Sequence, residues 1–313
     1  IKFEIGFAPQ GGAAFMNADL DAPQTRVATD ALFRSTWEDG DEIGVFAVKH
    51  ALGTPATLAA SGNFIHNVKL TYNSADGSWS GPAYWPNDGS VVNFYAYYPY
   101  DANATDPTDI AFNVAADQSG TTDDGKLQYN LSDLLTATSD NGGSGYEKGS
   151  TVTLAFSHAL AMVQVTLTAD RERNIGPVGN NISVVLRGVQ TGAALDLADG
   201  VSASGNAGNV KMYRAGETDK GEPVFRALVP AQTPQDGYRF RLSQFNELYD
   251  YTPSTGQALT AAEAQIHPVK LPFIPTAKIN KGTFLMGSSD GSNPNGTPGV
   301  DPNVTPAEPN RKS

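Results

Sequence analysis

The chain is written in short runs of alternating apolar and polar residues, cut apart by Gly, Pro, Asn and Asp, and a helical period is nowhere sustained. Alternation with period two marks a strand with one face buried. The opening is the clearest case, with Ile1, Phe3, Ile5 and Phe7 on one face and Lys2, Glu4 and Gly6 on the other. Further runs stand at "EIGVFAV", "NFIHNVKLTY", "SVVNFYAYYPY", "TVTLAFSHALAMVQVTLTA", "NISVVLRGVQ", "PVFRALVP" and "YRFRLSQF". With 32 Gly and 20 Pro among 313 residues, turn chemistry is available at the spacing such strands need. The pattern predicts an all-β chain of two tandem β-sandwich domains with a short irregular C-terminal extension.

Residues 84 to 100, "YWPNDGSVVNFYAYYPY", hold seven aromatic rings in a chain that is 9% aromatic. Either the rings line a ligand platform or they fill a core. Pro86 and the turn "NDGS" come just before the run, so the rings after them alternate across a sheet. Val92, Phe94, Ala96 and Tyr98 fall on one face, and Val91, Asn93, Tyr95 and Tyr97 on the other. A central strand covered on both sides is the economical reading. Tyr84 and Trp85, in the loop before the strand, are the pair that could stack on a sugar face.

The Gly-rich stretch "SDNGGSGYEKGS", Ser139 to Ser150, is the most linker-like part of the chain. It divides the sequence into domains over 1–145 and 146–272, with a tail over 273–313. Just after it, Val152, Leu154 and Phe156 share one parity, while Val163, Val165 and Leu167 share the other. A bulge or bend near His158 to Met162 would reconcile them. Residues 8 to 36 lack any sustained period and read as a long exposed connection.

The net charge of −12, with no stripe of Lys and Arg, argues against nucleic acid and against anionic lipid surfaces as partners. No apolar run is long enough for a spanning helix. The absence of cysteine removes disulfides, thiolate metal sites and cysteine nucleophiles together. The chain opens directly on a strand pattern, as if a leader had been removed; a lipid-anchored leader would have taken its cysteine with it.

His50, His66, His158 and His267 are scattered without H-x-x-x-H spacing, so structural roles outweigh a composite metal site for each. His158, beside the parity switch, reads as a bend fixed by hydrogen bonding. All residue types of a Ser–His–Asp triad are present, but no G-x-S-x-G elbow is. Glu38, Asp39, Asp41 and Glu42, beside Gly40, read as a solvated turn. The oxygen-rich stretches "DQSGTTDDG" and "DGSNPNGTPGVD" lack the spacing of a calcium loop. The expectation is a non-enzymatic chain with no catalytic residue, cofactor or metal.

Five pieces in order, "TRVATDALFRSTWEDGDEIGVFA", "YWPNDGSVVNFYAYYPY", "LSDLLTA", "LAFSHALAMVQVTL" and "FRALVPAQT", resemble the Mfa-like fimbrillin family of Gram-negative anaerobes over about residues 1–272. That resemblance implies paired transthyretin-like sandwiches that act as subunits of surface pili. It implies a lipid-tagged precursor at the outer membrane, trimming by an arginine-directed protease, and assembly when one subunit's strand fills a groove in the next. On this chain the exchangeable strand is Ile1, Phe3, Ile5 and Phe7, and the candidate cut site is Arg26, with Arg34 second. Other pilin subunits are the implied partners, with a host or bacterial surface protein or glycan as an adhesion target. From Phe273 onward, "INKGTFLMGSSDG" and "PAEPNRKS" resemble the opening of a formylglycine-generating, sulfatase-modifying-factor-like domain. That tail favours a tip or accessory subunit over a shaft subunit. The alternatives are a surface glycan-binding module and the non-catalytic front of a longer enzyme-like protein.

Overall fold

The structure is a computed structural model that describes residues 1–8, 35–54, 57–123, 125–168, 182–244, 247–254 and 257–270, and the backbone of 276–279 and 282–285. The chain is all-β. Its first strands are β1 (Lys2–Phe7), β2 (Glu42–His50), β3 (Ile65–Asn73), β4 (Ser78–Ser80), β5 (Val91–Tyr98), β6 (Ile110–Asn113), β7 (Leu135–Ser139) and β8 (Thr151–His158). A single helical turn, α1 (Gln128–Leu131), buries Tyr129. Next come β9 (Ala161–Thr168), β10 (Ser183–Asp196), β11 (Gly200–Lys211), β12 (Tyr213–Glu217) and β13 (Pro223–Val229). The last are β14 (Arg239–Gln244), β15 (Glu247–Tyr251), β16 (Ala264–Lys270) and the hairpin pair β17 (Thr276–Ile279) and β18 (Gly282–Leu285).

Among the described residues, seven strands form one sheet in the order β1-β8-β7-β5-β2-β3-β4. A second sheet runs β11-β10-β14-β15 with β6 also paired to β10, and a third runs β12-β13-β9-β16. The seven-stranded sheet carries its own core. Ile43, Val45 and Ala47 from β2, Phe94, Ala96 and Tyr98 from β5, and Val152, Leu154 and Phe156 from β8 are all buried together. The opposite face of the same strands, with Phe46, Tyr95 and Tyr97, joins a second core that draws on both other sheets through Val163, Val165, Val184, Leu186, Phe225 and Phe240. Every residue of β5 is buried, so the aromatic run is the central strand its alternation predicts.

The parity switch between residues 156 and 163 has a larger cause than a bulge. β8 belongs to the seven-stranded sheet and β9 to the four-stranded one, with only Ala159 and Leu160 between them. Each parity therefore points into a different core. A true bulge does occur in β10, where the register slips between Arg187 and Val189. Gly188 sits there at φ +84°, and a Cβ would come 3.0 Å from the Gly237 carbonyl oxygen, so the position calls for glycine.

Ser139 to Ser150, where the sequence sets the boundary at 145, joins β7 to β8, which lie side by side in one sheet. Gly142, Gly143, Gly145 and Gly149 all take positive φ, so the glycines serve a turn here. β8, after residue 145, thus lies with the first sheet, whereas β6, before it, pairs with β10 over Ile110–Asn113. The side chain of Gln118 adds a further tie: its amide nitrogen donates to the Leu228 carbonyl at 2.8 Å, and its oxygen accepts from the Leu228 N–H at 2.9 Å.

Candidate functional site

β1 is one of the two edge strands of the seven, with β4 at the opposite edge. Among the described residues it pairs with β8 alone, in parallel, from Lys2↔Thr151 to Phe7↔Phe156, and the Ala8 N–H extends the ladder to the Phe156 carbonyl at 2.8 Å. On its other side, the Ile1 nitrogen donates to the Ala83 carbonyl at 2.9 Å. Ile1, Phe3, Ile5 and Phe7 are partly buried and pack against the core of the seven-stranded sheet, while Lys2 and Glu4 are exposed. The alternation of the opening residues thus becomes an apolar row laid over a core that other strands build.

Trp37 links the two ends of that sheet. It stacks on Phe7 of β1, with ring centroids 4.6 Å apart and planes 24° from parallel. It also meets Trp79 of β4 edge-on at 5.0 Å, Phe156 at 5.2 Å and Tyr98 at 5.6 Å. Phe3 makes a different contact, edge-on to Phe94 at 5.6 Å. The indole N–H groups of Trp37 and Trp79 are both buried with no hydrogen-bond partner among the described residues.

Two residues before Trp37, the Ser35 hydroxyl lies 3.3 Å from Nε2 of His158, whose Nδ1 is 2.8 Å from an Asp133 carboxylate oxygen. Asp133 is 2% exposed and Ser35 8%. Burial alone would lower the His158 pKa, but the charge of Asp133 and the hydrogen bond to it outweigh burial, and the net shift is upward. The three side chains tie the chain at Ser35 to the start of β7 and the end of β8. The hydrogen bonds of His158, read from the sequence as fixing a bend, instead tie segments distant in the chain. Nothing in the sequence singles out Ser35, Trp37 or Asp133, because their contacts join segments from 25 to more than a hundred residues apart.

The other candidates disperse. His50 lies with Nδ1 3.1 Å from the Ala51 carbonyl and Nε2 3.2 Å from the Asn93 side-chain oxygen. His66 donates from Nε2 to the Thr105 carbonyl at 2.9 Å. The Tyr238 hydroxyl lies 2.6 Å from His267 Nε2, and burial lowers the pKa of that imidazole. Among the described residues no group of three His, Asp or Glu side chains could hold a metal ion. In the acidic turn, Asp39 accepts from the Ser74 N–H at 3.0 Å and Glu42 pairs with Lys69 at 2.7 Å. Asp117 of "DQSGTTDDG" accepts from the Ser119 N–H and from Lys211 Nζ, which is turn chemistry.

Tyr84 and Trp85 part company. Tyr84 is 73% exposed, whereas Trp85 is half-buried and meets Phe94 edge-on at 6.0 Å. Arg26, Arg34 and the whole connection from 9 to 34 lie outside the described residues, as do the side chains of the tail.

The described strands amount to packed sheets, the first edged by β1, whose apolar row lies over a core its neighbours build. The chain belongs to the fimbrillin-like family, whose sequence profile matches residues 25–283. Over 158 residues, 48% of this chain, it is 35% identical to a candidate fimbrium tip subunit, Fim1C, of Bacteroides ovatus, and it spans 27% of that relative's length. The fold is similar to the crystal structure of a candidate cell adhesion protein from the same species, with a TM-score of 0.57 at 21% identity over 86% of this chain and 92% of that one. It is also similar to a candidate cell adhesion protein from Bacteroides uniformis, with a TM-score of 0.53 at 20% identity over 75% and 88%.

Proposed function

We propose that the chain is a fimbrial subunit, of the tip or an accessory position, that assembles into a surface pilus by strand exchange and serves cell adhesion. The observation that carries the reading is β1, an apolar strand held by a single parallel ladder over a core built by its neighbours. Its removal would expose that core and an unpaired edge of β8, a surface that another strand can cover. Family membership and the name of the B. ovatus relative support the pilus and the tip. The lipid-tagged outer-membrane precursor rests on the resemblance alone, and the likeness of the tail to a formylglycine-generating domain rests on its own short sequence. In this reading the seven-stranded unit accepts the strand, and the other two sheets form the second unit.

Limited digestion with an arginine-specific protease is expected to cut first at Arg26, or next at Arg34. The cut chain, mixed with a partner subunit, should then rise in mass by light scattering, and a double Arg26→Ala, Arg34→Ala variant should remain whole and monomeric. Release of the Ile1–Arg26 piece without any rise in mass would sink the exchange mechanism.

A further inference from the structure

We propose that the slot beneath β1 selects its occupant by an aromatic ring, and that Trp37 is the residue that reads it. The inference rests on the strand-exchange reading and adds a partner chemistry: an extended segment, alternately apolar, that sets a planar side chain against Trp37. The present occupant, β1, is itself a strand of this kind and shows how the slot is used. Lys2 and Glu4 face solvent, and a Cβ at Gly6 would meet nothing within 4 Å, so the outward positions impose little choice. Choice falls to the inward row of Ile1, Phe3, Ile5 and Phe7.

Within that row the two rings are received differently. Phe3 presents to Phe94 at 89°, an edge contact. Phe7 lies nearly flat on Trp37, and a stack of two rings needs a planar partner. Trp37 is itself fixed, because Trp79, Phe156 and Tyr98 meet it at 87°, 83° and 70° and hold its plane. It also stands on the far side of the 9–34 connection from Phe7, so a cut at Arg26 or Arg34 removes the ring that is read and leaves the ring that reads.

The test uses the full chain nicked between Ala8 and Ser35, with both pieces kept together, and challenged with excess labelled peptide of the sequence IKFEIGFA. The unaltered peptide should be taken up, and its Phe7→Leu form should bind roughly three- to tenfold more weakly, the worth of a ring stack. On a Trp37→Leu chain the two peptides should bind alike. A Trp37→Phe chain, which keeps a ring at that place, should regain part of the preference and guards against a folding defect in the leucine variant. Equal binding of both peptides to the unaltered chain would overturn the selectivity and leave strand exchange standing. Failure of every peptide to bind, with β1 displaced by none, would overturn strand exchange and the selectivity with it.

Discussion

At the scale of single residues, two histidines, His158 and His267, pull the stability of the fold in opposite directions with pH. The pKa of His158 is raised above its ordinary 6.5 by Asp133. The folded state therefore binds its proton more tightly than the unfolded chain does. Its stabilising contribution is fully present below about pH 6.5 and is lost as the pH rises through the raised value. His267, hydrogen-bonded to the Tyr238 hydroxyl, is the reverse case, its pKa lowered by burial. The fold must shed that proton, so stability declines as the pH falls below about 6.5 toward the depressed value. Thermal melts at several pH values separate the two. His158→Asn, which keeps a donor for Asp133, should lower the melting temperature more on the acid side than on the alkaline side. His267→Gln should flatten the decline of the unaltered protein in acid. Parallel curves for either variant would remove that histidine as a source of the pH dependence.

At the scale of the element, β5 is the strand most readable in advance and the one whose damage should be most severe. Phe94 is fully buried, with Phe3, Trp85 and Tyr146 edge-on around it. Phe94→Ala should cost on the order of 3 to 5 kcal/mol in denaturant unfolding, as truncation of a buried ring does. Tyr84→Ala, ten residues earlier and exposed, should leave the midpoint where it was, and an unmoved midpoint for Phe94→Ala would undo the core assignment. Strict alternation at β1 and β8, and the two covered faces of β5, were legible because each residue's face follows from its neighbours alone. The role of the Gly-rich stretch before β8 was not, because a turn inside a sheet and a linker between domains ask for the same residues. The parity switch at 156 to 163 was visible, but its cause was not, since a bulge and a passage between sheets leave the same trace in sequence. Trp37 was invisible for a different reason: it lies on no strand, and its worth comes from Phe7, Trp79, Tyr98 and Phe156, gathered from four separate strands.

At the scale of the whole molecule, the sheets are bound to one another more closely than a pair of beads on a string. Phe46, Tyr95 and Tyr97 of the seven-stranded sheet share one continuous core with Val163, Val184 and Phe225 of the others. β6 and Gln118 reach across in addition. Heat unfolding is therefore expected as one transition, with calorimetric and van't Hoff enthalpies in agreement; two resolved peaks would show the units to be energetically separate. The direct passage from β8 to β9 also matters for a molecule under tension. β8 grips the strand in the slot along its whole length, so a pull along that strand loads the six register pairs from Lys2↔Thr151 to Phe7↔Phe156 in shear, all at once. Two residues further on, the load enters β9, which is flanked on both sides by β13 and β16 and buried along most of its length. In the proposed exchange, the strand that would hold the neighbour is thus continuous with a strand paired on both sides in the next sheet, and force would cross the molecule without passing through a loose loop.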